Sequence, residues 1–178
     1  AISETVVNEY NSSGANLRRI EIIPPGVDLD AFESRPTNRA QVLSLHKIPT
    51  DRNIIISVGR NHPKKGFSDL VNAREMLTAN GGNHHLVIGG DRSDELIPLA
   101  RELGVADRFT PIPIIASQNG STMGTFPSAD LIDLYKASDV FVLPSHLETY
   151  ANVAVEAMAA GIPARFQIGM WGSYDKKP

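Results

Sequence analysis

The chain has 178 residues, with 17 basic and 20 acidic side chains for a net charge of −3, 42% hydrophobic and 21% charged content, and no cysteine. That length gives about one domain with a core of its own, and the missing cysteines exclude a disulfide scaffold, a thiolate zinc site and a cysteine nucleophile. The slight negative charge offers no broad positive field to nucleic acid or anionic lipid, and no apolar run reaches the roughly 18 residues of a membrane span. No secretory signal opens the chain and Ala1 is not a starting methionine, so the expectation is a cytoplasmic domain cut from something larger.

Taken in order, the first regular element is the β-branched run Asn53-Ile54-Ile55-Ile56-Ser57-Val58, ended by Gly59. A near-continuous apolar run of this length predicts a strand covered on both faces, as in parallel sheets. A helix follows, with Ser68 as its N-cap, Leu70, Ala73 and Leu77 on one face, and Asn80-Gly81-Gly82 as its stop. The run His85-Leu86-Val87-Ile88 predicts a second strand, closed by Gly89-Gly90. Leu96, Leu99, Ala100 and Leu103 mark a second helix that ends at Gly104 and begins near Ile97, because Pro98 fits only a first turn.

Pro111 to Pro127 carries breakers throughout and predicts a long loop, of a length that tends to be functional. A third helix spans about Ala129 to Ala137, a third strand Asp139-Val140-Phe141-Val142-Leu143, and a fourth helix about Asn152 to Ala160, closed by Gly161. Alternation of this kind predicts an α/β fold, a Rossmann-like open parallel sheet with helices on both faces.

Ligands of such sheets sit beyond the carboxyl ends of the strands, so the residues leaving the strands are the candidates. After the first strand comes Gly59-Arg60-Asn61-His62-Pro63-Lys64-Lys65-Gly66. Arg60 grips phosphate oxygens in pairs, Lys65 supplies a movable charge, and the helix start beyond adds free N–H groups. The residues form a credible diphosphate clamp, and a solvated basic loop explains the spacing as well. The glycine patterns of the P-loop and of the dinucleotide turn are both absent.

After the third strand, Glu148 falls in a loop and Glu156 two turns into the next helix, whose free N–H groups lie near Tyr150, Ala151 and Asn152. Here the alternative is that Glu148 caps the helix and Glu156 faces solvent. Gly90 would keep side chains out of the same crevice, or simply make a tight turn. The five histidines read as incidental: His84 and His85 face opposite ways on a strand, and His62 and His146 lie in the two site loops. No metal-ligand cluster stands out, and Ser145 lacks the setting of a nucleophile elbow.

Together these residues resemble a family. Gly59-Arg60 with Lys65-Gly66, Glu148-Thr149-Tyr150 with Glu156-Ala157, and Ala160-Gly161-Ile162-Pro163 are similar to the C-terminal, donor-binding half of retaining GT-B glycosyltransferases. Within these the chain resembles glycosyltransferase family 4, with its sucrose-phosphate synthase and glycogen synthase relatives. Glu148 and Glu156 stand in the E-x7-E spacing of that family, and Ile22 to Asp28 with Phe32 is similar to its interdomain crossover. The resemblance runs from about Ile20 to Pro163.

The resemblance implies that Arg60 and Lys65 bind the diphosphate of a nucleotide-sugar donor and stabilise the departing nucleotide. Glu148 would sit by the donor sugar, Glu156 would hold the ribose, and amides around Ala151 and Asn152 would meet the phosphate or sugar. The expected donor is an NDP-sugar, a UDP-sugar before others, with no metal and no other cofactor, and the anomeric configuration would be retained. The implied division is residues 1–32 as the end of an acceptor domain and the crossover, 33–163 as the nucleotide-sugar-binding domain, and 164–178 as an atypical tail. The partner is an N-terminal acceptor domain of the same parent, through which alone a peripheral membrane contact would arise. Ala151 stands where the family usually has glycine, and the tail after Pro163 departs from it, so the half looks truncated, its last strand and C-terminal helices missing. The parent is expected to transfer a hexose to a sugar or lipid-linked acceptor, and the isolated chain to be inactive. The alternatives are a non-catalytic nucleotide-binding module and a nucleotide-sugar epimerase of the same fold.

Overall fold

In the computed structural model, which describes residues 3–14, 20–79, 81–113, 127–148 and 150–166, the run Asn53–Val58 forms β1 at the centre of a five-stranded parallel sheet. The other strands are β2 (His84–Gly89), β3 (Phe109–Ile112), β4 (Val140–Leu143) and β5 (Ala164–Phe166), in the order β3-β2-β1-β4-β5. Helices precede and connect them: α1 (Glu4–Ser12), α2 (Leu29–Glu33), α3 (Arg39–Leu45), α4 (Phe67–Ala79), α5 (Ile97–Glu102), α6 (Ala129–Lys136) and α7 (Asn152–Ala159). Among the described residues no helix is long and apolar enough to cross a membrane.

Alternation along β1 divides the core. Ile54, Ile56 and Val58 join Phe141, Leu143, Leu131, Leu134 and Tyr135 on the side of α3, α6 and α7. Ile55 faces the other side with Phe67, Val71, Leu86 and Ile88, under α4 and α5. Each fully buried aliphatic side chain contributes about 1.5–3 kcal/mol, which is why the β-branched run lies at the centre and not at an edge. The segment between α2 and α3 also ties into this core: Phe32 is buried at the end of α2, and Arg35 forms a bidentate pair with Asp133, which Thr37 also bonds at 2.8 Å.

Three expectations need correction. The helix assigned to start at Ser68 begins at Phe67, directly after Gly66 in the left-handed region (φ 65°). Its buried stripe is Phe67, Val71 and Arg74, while Ala73 and Leu77 are exposed and Leu70 is only partly buried. A buried arginine breaks the apolar pattern that would have shown the right face; its guanidinium donates to the carbonyl of His84.

Strand β3 overlaps the start of the expected loop at Pro111. A proline is tolerated there because β3 is an edge strand and pairs only with β2. Residues 114–126 of that loop lie outside the described residues. The strand expected to be missing beyond Pro163 is present: Ala164–Phe166 pairs in parallel with β4, Phe141 opposite Ala164. Residues 167–178 of the tail lie outside the described residues.

Candidate functional site

The chain runs from β1 through β2 to β3 on one side, then returns to place β4 and β5 on the other. The order therefore reverses between β1 and β4, and the crevice beyond their carboxyl ends is where ligands of such sheets bind.

The β1 exit is a tight structure. His62 Nδ1 accepts from the Lys64 N–H at 3.3 Å and caps a short 3-10 turn, Pro63–Lys65, which Gly66 ends. Gly66 is required twice over: it has a positive φ, and a Cβ there would lie 2.2 Å from the Pro144 carbonyl oxygen. The His146 N–H donates to the Lys64 carbonyl at 2.8 Å. Backbone contacts thus stitch the exits of β1 and β4 together and bring Lys65 over the β4 loop.

That stitching puts Lys65 Nζ 2.5 Å from Glu148 Oε1, with the two side chains 18% and 10% exposed. Ser145, fully buried at the β4 exit, donates from Oγ to the same oxygen at 2.7 Å. Glu148 is therefore not the cap of the next helix. The N-cap of α7 is Ala151, with no side-chain hydrogen bond, so the first amides of α7 face the crevice end of the sheet with the positive end of the helix dipole.

Arg60 lies on the same rim but leans the other way, 3.2 Å from Asp91 at the β2 exit, with both side chains exposed. Gly90 sits between them for a steric reason. A Cβ on it would meet the Gly59 carbonyl oxygen at 2.0 Å, so the β1 and β2 exits touch backbone to backbone. The Gly59 N–H donates to Gly89 and the Gly90 N–H to Ile112, extending the ladder past the strand ends. The glycine exceeds the demands of a simple turn; it is a point of close approach.

Glu156 is not on a solvated face. It is 4% exposed, under α7, and its Oε2 accepts from the Tyr135 hydroxyl at 2.9 Å. Burial pushes its carboxyl above the ordinary value, and the tyrosine bond pulls it partly back. The structure therefore joins Lys65 directly to Glu148, sets Arg60 on the adjoining rim, and keeps Glu156 in a separate contact with α6.

His62 and His146 both line a cavity of about 500 Å³ together with Asn61, Asp69, Arg92 and Glu95. His146 Nε2 lies 2.8 Å from Asp69 there. Lys65 and Glu148 do not line it, so the cavity is distinct from the clamp. His85 is buried elsewhere, at the amino-terminal end of β2, its imidazole pushed down to about 4 by burial and by Arg52 and Arg74. Among the described residues no group of three metal-ligating side chains occurs.

Three contributors escaped the sequence reading. Ser145, which lacks the setting of a nucleophile, instead orients Glu148; its spacing of three residues from Glu148 is the available signal. Asp91 and Tyr135 carry no local motif, and only the packing of β2 on β1 and of α6 on α7 shows their partners.

The sequence model of the family described as glycosyl transferases group 1 matches residues 39–164. The chain is 35% identical over 155 residues to the D-inositol 3-phosphate glycosyltransferase of Mycolicibacterium smegmatis, covering 84% of this chain and 32% of that protein. It thus spans about a third of the length of the curated relatives it matches. Among solved structures, sucrose-phosphate synthase from Thermosynechococcus elongatus superimposes with a TM-score of 0.69 at 26% identity, over 95% of this chain and 40% of that one. HepE from Anabaena, in complex with UDP and glucose, gives a TM-score of 0.75 at 20% identity, over 95% of this chain and 44% of that one, a likeness of fold.

Proposed function

The chain belongs to the group 1 glycosyl transferases, and from that premise we propose that it is the nucleotide-sugar-binding half of a retaining enzyme that transfers a hexose from a UDP-sugar. The observation that carries this reading is the junction of Lys65 and Glu148 across the reversal point of the sheet, with Arg60 on the same rim. Arg60 and Lys65 supply two cations to one diphosphate, a task that otherwise falls to a metal ion. Each acts by stabilising charge that grows on the leaving nucleotide, an effect worth about 2.7–4 kcal/mol per donor in comparable sites. The amides at the start of α7 add their dipole to the same charge.

Glu148, held by Ser145 and Lys65, faces the donor sugar; Glu156 accepts hydrogen bonds from the ribose. Residues 1–32 are the end of the acceptor domain and the crossover, and the rest of that N-terminal acceptor domain of the same parent completes the active site. The isolated chain then binds donor without turning it over. The names of two relatives, an inositol 3-phosphate glycosyltransferase and a sucrose-phosphate synthase, support a hydroxyl-bearing sugar-like acceptor. HepE, a neighbour by fold whose structure holds UDP and glucose, is the precedent for choosing uracil as the base.

Calorimetric titration with UDP, ADP and GDP tests the reading. UDP binding is expected, and is expected to weaken by about 10- to 100-fold in R60A and in K65A. Binding that persists unchanged in both variants overturns it. Turnover restored by adding a separate acceptor domain separates a transferase from a plain nucleotide-binding module.

A further inference from the structure

A buried carboxylate with one hydrogen bond is costly unless something else engages it. Glu156 is in that position. It projects from α7 into the layer where Tyr135, Leu134, Phe141 and Ala157 are buried, and among the described residues the Tyr135 hydroxyl is its hydrogen-bond partner. Tyr135 is itself fully buried on α6, its ring tilted against Phe141 at 6.0 Å between centroids. Its hydroxyl lies 2.9 Å from Glu156 Oε2 and 3.4 Å from the Val153 carbonyl oxygen. One phenol proton cannot serve both acceptors fully, and the shorter contact is to the carboxylate.

We propose that Tyr135 is a positioning residue: by holding Glu156 Oε2 it fixes the carboxylate so that Oε1 receives the vicinal hydroxyls of a ribose, making the site selective for ribonucleotide over deoxyribonucleotide donors. The inference rests on the donor-binding reading of Glu156 and goes beyond it, because it assigns the selectivity to a side chain of α6 that meets no ligand. The physical reason is preorganisation. A free Glu side chain loses rotamer freedom on meeting a ligand, whereas one already anchored at one oxygen does not. The anchor also acts on charge, since donation to the ionised form favours that form against the opposing effect of burial. An ionised carboxylate accepts from both hydroxyls of a cis-diol, and a protonated one presents a donor where an acceptor is needed.

The test compares UDP with 2′-deoxy-UDP by calorimetry on the chain and on Y135F, Y135L, E156D and E156Q. The wild type is expected to prefer UDP by roughly tenfold, the scale of one hydrogen bond to a charged group. E156Q and E156D, the latter keeping the charge but one methylene short, are expected to lose that preference. Y135F keeps the ring and removes the hydroxyl, and is expected to bring the two ligands within about threefold while diphosphate binding persists. Y135L offers a second hydroxyl-free side chain should Y135F fold poorly, with melting temperature recorded for each. A wild-type preference retained in either tyrosine variant overturns the proposal, as does one retained in E156Q. Failure of the wild type to bind any nucleotide instead overturns the donor-binding reading, so the two failures are distinct.

Discussion

Replacing Lys65 by methionine preserves the side-chain stem and removes the ammonium, which isolates the charge. In the structure that ammonium is 2.5 Å from Glu148 Oε1, and both side chains are largely shielded from water. Removing one member of a fully buried ion pair costs about 3–5 kcal/mol. Both groups here keep some contact with water, and Ser145 Oγ still donates to the same carboxylate oxygen at 2.7 Å. The expected loss of stability is therefore about 2 kcal/mol, or roughly 4–8 °C in melting temperature for a domain of this size. The same substitution deletes a charge-assisted contact to the donor diphosphate, so UDP affinity should fall by about 10- to 100-fold. E148Q is the control. It keeps an acceptor for Ser145 and releases the ammonium from a competing carboxylate, so UDP binding should tighten by roughly threefold. Thermal denaturation and calorimetry on the two variants read both effects. If E148Q weakens UDP as much as K65M does, the carboxylate is not competing with phosphate for Lys65, and the clamp is wrongly drawn.

Three further outcomes follow from particular contacts. G90A places a Cβ 2.0 Å from the Gly59 carbonyl oxygen at a φ of +137°, and should cost about 3 kcal/mol or more by forcing the β1 and β2 exits apart; a melting temperature within a degree or two of wild type contradicts that close approach. His85, held down at about 4, binds its proton less tightly folded than unfolded, so the stability it contributes is complete above its ordinary value and drains away as pH falls toward 4. Allowing for solvent around Arg52, that limb amounts to about 2 kcal/mol, and denaturant melts of H85Q between pH 4 and 7 should show it flattened. Glu156 has the opposite sign: its raised carboxyl holds a proton more tightly in the folded state, so its favourable contribution belongs to acid pH and is lost as pH rises through the raised value. E156Q should gain stability relative to wild type on going from pH 4 to pH 7, and a pH-independent difference would contradict the burial argument.

Much of the fold was legible because the signal was local. The runs at Asn53–Val58 and Val140–Leu143 are near-continuous apolar stretches because their strands are covered on both faces, and burial of that kind writes itself into consecutive residues. The helix over Ala129–Lys136 shows its 3.6-residue period in the same way, and the structure adds Ser128 as its cap. The face of α4 did not, because its third buried position is Arg74, a charge paired with a backbone carbonyl from the neighbouring strand. Edge strands β3 and β5 were equally silent: a short strand paired on one side needs neither a long apolar run nor an intact set of amides, and Pro111 reads as a breaker wherever it stands.

Residue order alone shows which side chains leave the strands of the sheet, and so which cations and acids are available to a ligand: Arg60, Lys65, Glu148 and Glu156 all lie beyond the end of β1 or β4 in chain order. Their partners are set by the packing of the folded chain. Lys65 meets Glu148 across 83 residues of chain because Gly66 and Pro144 touch, Arg60 turns to Asp91 because Gly90 and Gly59 touch, and Glu156 turns to Tyr135 because α6 packs beside α7. Chemical type is a property of each residue alone and is written in the chain. Pairing depends on the distance between segments remote in sequence, and that distance is set by backbone contacts and packing that no local pattern encodes.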